Sequence, residues 1–452
     1  MSELNKTLVF SGGAVVLLLL AIVTQPKAAA PEEFSDVGEI FFPDFTDPNS
    51  AASLEAIRYD EETGSPFAFK VANNNGIWTI PSHNNYPADG KDRLAQTAAG
   101  LIGLTRDDFR TDNPIDYDKL GVYDPLDETA PSAGRGQRIT IRGEGDKLLA
   151  DLIIGNKVEG REDMYFVRLP EQKRVYAVKM NLELSTNFAD WIETDLLLLD
   201  KAKVNRITVD DYSINELTGT IEPGQAFRIA KDGTAWQMEG MPAGRELNTS
   251  KIDNMLKTLD ELKIVGVRKK PEGLTAGLEN FGESAIQLDA SAQRSLQEKG
   301  FYISGSGQLV SNEGEMQLMT EEGVSYTLRF GEVAYGSGLE LTAGGEQAGS
   351  TGPAENRYLF VTAEFDPKIF PEPAQPANLD YQNKPDSLRT ESDRQNQQMQ
   401  IAYEDWQRKI QQGRERTREL NRRFAQWYYV IPAASFDALD INRSDLLKDP
   451  AS

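Results

Sequence analysis

The strongest constraint on this chain is that it says one thing twice. "GIWTIPSHNNYPADGKDRLAQTAAGLIGL" runs from Gly76 to Leu104, and "TAWQMEGMPAGRELNTSKIDNMLKTLDEL" from Thr234 to Leu262. Each places a Trp in a short strand-like run, then a polar turn, then an amphipathic stretch. Trp78 and Trp236 stand 158 positions apart, and the same offset carries Phe69 to Phe227 and Val71 to Ile229. It also carries Leu94 to Ile252, Ala98 to Leu256, Leu101 to Leu259, Leu104 to Leu262, Leu120 to Leu278 and Tyr123 to Phe281. Steps of four, three and three residues put the apolar side chains of each second part on one helix face. Alternation in "FAFKV", "FRIA", "IWTI" and "AWQM" predicts short strands. Asp89-Gly90 in one copy and Asn248, Thr249 and Ser250 in the other are turn and cap residues. Chance periodicity accounts for one such match but poorly for all of them at one offset, so the chain reads as a duplicated module.

The remainder of each copy also corresponds. "QRITIRG", "LADLIIG", "MYFVRL" and "RVYAVKM" are strand-like, and "STNFADWIETDLLLLD" predicts a closing helix capped by Ser185 or Thr186. In the second copy, "SYTLRFG", "RYLFVTAEF" and "QWYYVIP" match three of those strands, and "SFDALDINRSDLLKD" matches the closing helix. The predicted fold is α+β: an N-terminal transmembrane helix, then two tandem related modules of strands, a helix, antiparallel strands and a closing helix. The expected divisions are residues 1–27 (tail and anchor), 28–53 (tether), 54–200 (first module) and 201–452 (second module). Insertions at 291–322 and 371–423 enlarge the second module. The first reads as a short helix and a hairpin turning at Gly305-Ser306-Gly307.

Thr7 to Thr24 is an uncharged 18-residue run flanked by Lys6 and Lys27. At about 1.5 Å per residue it just spans a hydrocarbon core. A cleaved signal peptide is the alternative, with Ala28–Ala30 as the small-residue site. Pro31 directly after that site favours an uncleaved anchor. A six-residue tail most simply stays in the cytoplasm, leaving the body outside. The expected location is therefore the inner membrane, single-pass, with the body in the periplasm. Phe41, Phe42 and Phe45 in the following tether are expected to dock on the body.

A net charge of −23 argues against a nucleic-acid partner. The absence of Cys excludes disulfides, thiolate zinc sites and Cys nucleophiles. His83 is the only His; it sits in the turn before the first amphipathic helix and reads as a surface loop residue. Its neighbour Ser82 lacks the third group and the oxyanion hole that a nucleophile–base pair needs. No phosphate-cradling glycine motif occurs. "DYDKLGVYDPLDE" offers Asp116, Asp118, Gly121 and Asp127 to calcium, but Leu120 stands where an oxygen ligand belongs. No cofactor, metal site or catalytic group is indicated. Trp78 and Trp236 recur with the strand pattern and read as core.

Within 371–423, Met399, Tyr403, Trp406, Ile410, Gly413, Thr417, Leu420 and Phe424 fall at heptad spacing. Gly413 and Thr417 weaken the seam, so the stretch reads either as two helices broken there or as a single helix of about 35 residues, roughly 50 Å long. If this insertion is the partner contact, excising Asp386–Arg423 is expected to leave the body folded, since it interrupts only a hairpin; a large fall in melting temperature would instead place the heptad seam in the core. Seven basic residues lie between Arg408 and Phe424, opposed only by Glu415 and Glu419. Such a cluster on an acidic protein is either a solvated face or a surface for another protein or anionic head groups. The candidate contact residues are Tyr403, Trp406, Arg414, Arg418 and Arg422.

"SLQEKGFYISGSGQLVSNEGE", "GVSYTLRFGEV" and "RYLFVTAEFDP", together with the Trp strand–helix echo, resemble the DUF4340 family in its long, anchored form. The resemblance covers most of the chain after the anchor, and its motifs are structural. It implies association with ABC-type export systems of the gliding-motility kind, so the expected partners are ABC permease and auxiliary subunits. No family catalytic residues exist to carry over. The leading expectation is a membrane-anchored accessory or scaffold protein. The alternative is an extracytoplasmic hydrolase with a carboxylate pair, or a glycan- or peptide-binding module of the cell envelope.

Overall fold

The computed structural model describes residues 36–61, 64–74, 76–215, 218–279, 281, 288–305, 307–334 and 355–449. The expected anchor, Thr7–Thr24, lies outside them. Among the described residues no helix is long and apolar enough to cross a membrane. The fold is mixed α+β.

The first half of the chain supplies β1 (Ala51–Asp60), β2 (Ser65–Asn74), β3 (Ile77–Ile80), β4 (Tyr86–Pro87), helix α1 (Lys91–Ala99), β5 (Asp108–Thr111) and the one-turn α2 (Tyr117–Leu120). It continues with β6 (Gln137–Gly143), β7 (Leu148–Lys157), β8 (Met164–Arg168) and β9 (Val175–Lys179). The second half supplies β10 (Val204–Asn215), β11 (Thr220–Asp232), β12 (Ala235–Met238), β13 (Glu246–Leu247), α3 (Thr249–Asp260), β14 (Gly266–Lys269), α4 (Glu272–Glu279) and α5 (Ala290–Gln297). Then come β15 (Phe301–Ile303), β16 (Leu309–Ser311), β17 (Glu313–Thr320), β18 (Val324–Ala334), β19 (Asn356–Phe365), α6 (Glu391–Ala425), β20 (Trp427–Ile431), α7 (Ala433–Leu439) and β21 (Leu447–Lys448).

Hydrogen bonding orders the first set as β4-β3-β2-β1-β6-β7-β8-β9-β5 and the second as β12-β11-β10-β17-β18-β19-β20-β14. Taken in chain order, each strand of the second sheet has a counterpart at the same place in the first. The short strands differ: β4 pairs with β3, whereas β13 pairs with β21. The counterpart of β6 is β17, which begins inside the 291–322 segment read from sequence as an insertion. The β15–β16 hairpin precedes it as a separate two-stranded sheet. Every pairing in the eight-stranded sheet is antiparallel.

The chain packs as two compact units. Taken over the described residues, one comprises those up to Ala51, Ile57–Glu61 and Ala95–Glu183; the other comprises Ala52–Ala56 and those within 62–94 and from Leu184 onward. In the first, Phe41 and Phe45 are buried, as the docking of the tether requires, and Ile40 bridges to Thr105. Asp36 accepts a hydrogen bond from the Tyr176 hydroxyl at 2.5 Å and pairs with Arg174 at 3.0 Å. Arg138 joins Asp124 and Asp151 across the same unit. The Asp116 carboxylate accepts from Thr111 and that of Asp127 from Thr129, each serving a turn, and no metal-holding cluster occurs among the described residues.

The second unit draws in the 62–94 stretch through an aromatic cluster. His83 stacks on Phe188 at 4.7 Å, Phe69 lies 5.7 Å from Trp191, and Tyr86 meets Trp427 edge-on at 5.2 Å. Gly90 packs closely there: a Cβ would lie 3.0 Å from the Trp191 ring and 3.3 Å from Val71. His83 is thus buried, not a surface loop residue as its sequence context suggested. Its Nδ1 lies 3.0 Å from the Ser82 hydroxyl, which also accepts from the Lys70 amide. Trp78 and Trp236 are only half-buried, on short strands whose faces are incompletely covered; the buried tryptophans are Trp191 and Trp427.

The predicted closing helix over 185–200 does not form. Only Phe188–Trp191 makes a 3-10 turn, after which the chain is irregular and Leu198 is left-handed at φ 50°. Phe188, Trp191, Ile192, Leu196, Leu197 and Leu199 are all buried. A helix at 3.6 residues per turn would gather Phe188, Trp191, Ile192, Leu196 and Leu199 on one face but turn the equally buried Leu197 to the opposite side, and burying both sides favours an irregular strap. A second core unites Leu274, Leu278, Leu296, Phe301, Phe360 and Tyr428, joining α4, α5 and the β15 hairpin to the sheet.

Candidate interaction surface on the long helix

Helix α6 begins with a reciprocal cap. The Thr390 hydroxyl accepts from the Asp393 amide at 3.3 Å, and the Asp393 carboxylate accepts from the Thr390 amide at 2.8 Å. This satisfies donors that the first turn of any helix leaves unpaired. The Lys384 ammonium reaches both Asp393 oxygens at 2.9 Å. That ammonium, with the Thr390 donors, holds the Asp393 carboxyl at about 2.

The helix then runs 35 residues without interruption, which at about 1.5 Å per residue is roughly 50 Å. Of the two readings open from sequence, the single helix holds, with no break at Gly413 or Thr417. Both are buried in the seam with Ile410, Leu420 and Phe424, and the helix lies along β19. Gly413 keeps the helix intact by omitting a side chain where the Phe365 ring presses closest. Asn421 completes the contact: its amide oxygen accepts from the Ala363 N–H and its amide nitrogen donates to the Ala363 carbonyl, both at 2.9 Å. In the described register β20 pairs with β19 at Arg357 to Leu359. Beyond that point α6 covers an edge that would otherwise expose backbone polar groups. Excision of Asp386–Arg423 would therefore strip the sheet, contrary to the expectation from sequence.

The structure separates the five candidate contact residues into two groups. Tyr403 and Trp406 are half-buried, with ring centroids 5.5 Å apart, and the Trp406 indole donates to the Phe370 carbonyl at 3.0 Å. They hold the segment leading into the helix. Arg414, Arg418 and Arg422 are exposed at four-residue spacing, forming one outward stripe. Glu415 lies 3.8 Å from Arg418 and 3.2 Å from Arg422.

Two further arginines of the basic cluster turn inward. Arg423 donates to the carbonyls of Leu196 at 3.1 Å and Asp195 at 2.8 Å. Arg416 donates to the carbonyl of Leu198 at 2.9 Å. They grip the strap that failed to become a helix and supply its carbonyls with donors. Sequence reasoning counted them as surface charge. The available signal was their position, each one residue before a seam position, Thr417 and Phe424.

Beside Arg416 lies a cleft of about 790 Å³, lined among others by Leu198, Lys203, Glu321, Tyr326, Phe370 and Lys409. Burial pushes the Tyr326 phenol up to about 12, against the opposing pull of Arg416. On another side of the strap, a cleft of about 680 Å³ carries Asp190, Asp195, Asp260, Glu261 and Lys263. Burial raises the Asp195 carboxyl, but its oxygen accepts from the Leu198 amide at 2.7 Å and so serves the strap. Asp260 pairs with Lys201 at 2.7 Å.

The family model for the Domain of unknown function (DUF4340) matches residues 78–280. Over that stretch the chain carries this domain, and the match runs from the first Trp strand past the second Trp strand and helix. No curated protein and no solved structure matches the chain.

Proposed function

We propose that this chain is a non-catalytic accessory protein, held at the cytoplasmic membrane by Thr7–Thr24 with its body outside. In this reading it works beside an ABC-type transport system as scaffold or coupling element, and α6 carries the partner contact. The single observation behind the contact is the outward stripe of Arg414, Arg418 and Arg422 on a helix whose other face is committed to the sheet. A rigid helix with its inner face locked presents its outer charges in a fixed geometry, which favours a specific acidic partner surface. The transporter association rests on the family resemblance. The like order of the two sheets supports an origin by tandem duplication, with α6 added to the second copy alone.

The test is cross-linked co-purification from native membranes, comparing the full-length protein with the triple variant Arg414→Glu, Arg418→Glu, Arg422→Glu. Point variants are used because the helix is part of the core. Recovery of a permease with the unaltered protein only supports both role and contact. Recovery with both keeps the role and moves the contact elsewhere. Recovery with neither overturns the transporter reading.

A further inference from the structure

The cleft beside Arg416 is lined by α6, by β17 and β18 with the turn between them, and by the strap at Leu198. Its floor combines apolar surface from Leu198, Val324 and Phe370 with the helix backbone at Gly413, and its volume of about 790 Å³ lies in the range of small-ligand sites. Most of its charges are already committed. Lys203 pairs with Glu322 at 2.5 Å and Asp200 at 4.0 Å. Arg416 serves the Leu198 carbonyl and stands 3.7 Å from Glu419. Two opposite charges remain: Lys409 on α6 and Glu321 on the turn after β17 line the same cleft, and neither forms an ion pair among the described residues. The Lys409 ammonium lies 5.7 Å from the centre of the Phe370 ring, so a cationic and an apolar subsite adjoin.

We propose that this cleft binds a small zwitterion, a short peptide with free amino and carboxyl ends. Lys409 takes the carboxylate, Glu321 takes the ammonium, and an apolar side chain rests on Phe370 and Leu198. A ligand with one charge would leave either Lys409 or Glu321 unanswered, and a neutral sugar would answer neither. The site lies apart from the outward arginine stripe, so its failure and that of the proposed partner contact are separately readable.

The probe is the tripeptide Ala-Leu-Phe with free ends, titrated calorimetrically into the full-length protein, beside its N-acetylated and its C-amidated forms. Saturable binding of the free peptide is expected, weakened about tenfold or more by blocking either end, a change of about 1.4 kcal/mol per tenfold. Lys409→Met should weaken the free peptide to a similar degree and leave the amidated form unchanged. Glu321→Gln should do the same for the acetylated form. Both side chains are exposed, so the variants should fold, and unchanged melting curves check this. No binding at about 10 mM peptide, or binding indifferent to the blocks and to both substitutions, overturns the proposal.

Discussion

Gly413 of α6 lies against Phe365 of β19 so closely that a Cβ on Gly413 would fall 2.1 Å from the ring edge. Two effects oppose each other at this position. Alanine is the better helix former by about 1 kcal/mol, whereas overpacking a fitted contact costs about 1–3 kcal/mol. Gly413→Ala should therefore destabilise the protein by up to about 2 kcal/mol in urea denaturation. Adding Phe365→Leu should recover part of the loss, since the obstructing ring is gone. An increase in stability from Gly413→Ala alone would show that the ring swings aside freely.

Arg423 and Arg414 carry the same charge and should differ sharply. Arg423→Met leaves the Asp195 and Leu196 carbonyls without their donor, and should cost about 2 kcal/mol, the scale of charged hydrogen bonds. Arg414→Met, on the exposed stripe, should stay within about 0.5 kcal/mol. Equal urea midpoints for the two variants would refute the inward grip.

The start of α6 should be acid-sensitive. Asp393 is held at about 2 against an ordinary 3.8, first by Lys384 and then by the Thr390 donors. A carboxyl with a depressed folded value contributes stability that is fully present above the unfolded value and is lost as pH falls through the folded one. The contribution should therefore fade between about pH 4 and pH 2. Asp393→Asn should remove that part of the acid dependence. A stability–pH curve unchanged by the substitution in this window would count against the pairing.

Lys270 should act at the alkaline side. It is wholly buried, its ammonium nitrogen donates to the Phe424 carbonyl at 2.9 Å, and it lies 3.8 Å from the centre of the Phe360 ring. Burial holds its protonation well below the ordinary 10.5. The unfolded chain then binds more protons between the two values, so stability rises with pH across that interval. Lys270→Met should flatten the rise and cost at most about 1 kcal/mol at neutral pH, because a buried charge is poorly repaid by its contacts. A rise that persists in the variant would assign it to another group.

Local pattern was legible wherever local geometry settles the outcome. "IWTI" and "AWQM" alternate and are strands β3 and β12. Leu94 and Ala98, like Ile252, Leu256 and Leu259, mark the buried faces of α1 and α3. The heptad spacing from Met399 to Phe424 anticipated a helix. The five candidate residues were on it, but their roles were not visible: spacing says which residues share a face, and not what the face meets. The 185–200 stretch shows the limit most plainly. Its composition suits a helix as well as a buried strap, and only the surrounding burial and the Arg416 and Arg423 donors select the strap.

The sequence by itself determined the α+β class, the two Trp-marked strand–helix units in like register, and the amphipathic seam, because backbone geometry imposes periods of two and 3.6 on any chain that buries one face. Tertiary structure alone decided that His83 is buried and that β17 enters the main sheet. It alone decided that Gly413 admits Phe365, and that two arginines of a basic run face inward while three face out. Those outcomes depend on groups distant in the chain, from 48 residues for Gly413 and Phe365 to 228 for Arg423 and Asp195, and no local period records which partner completes a surface.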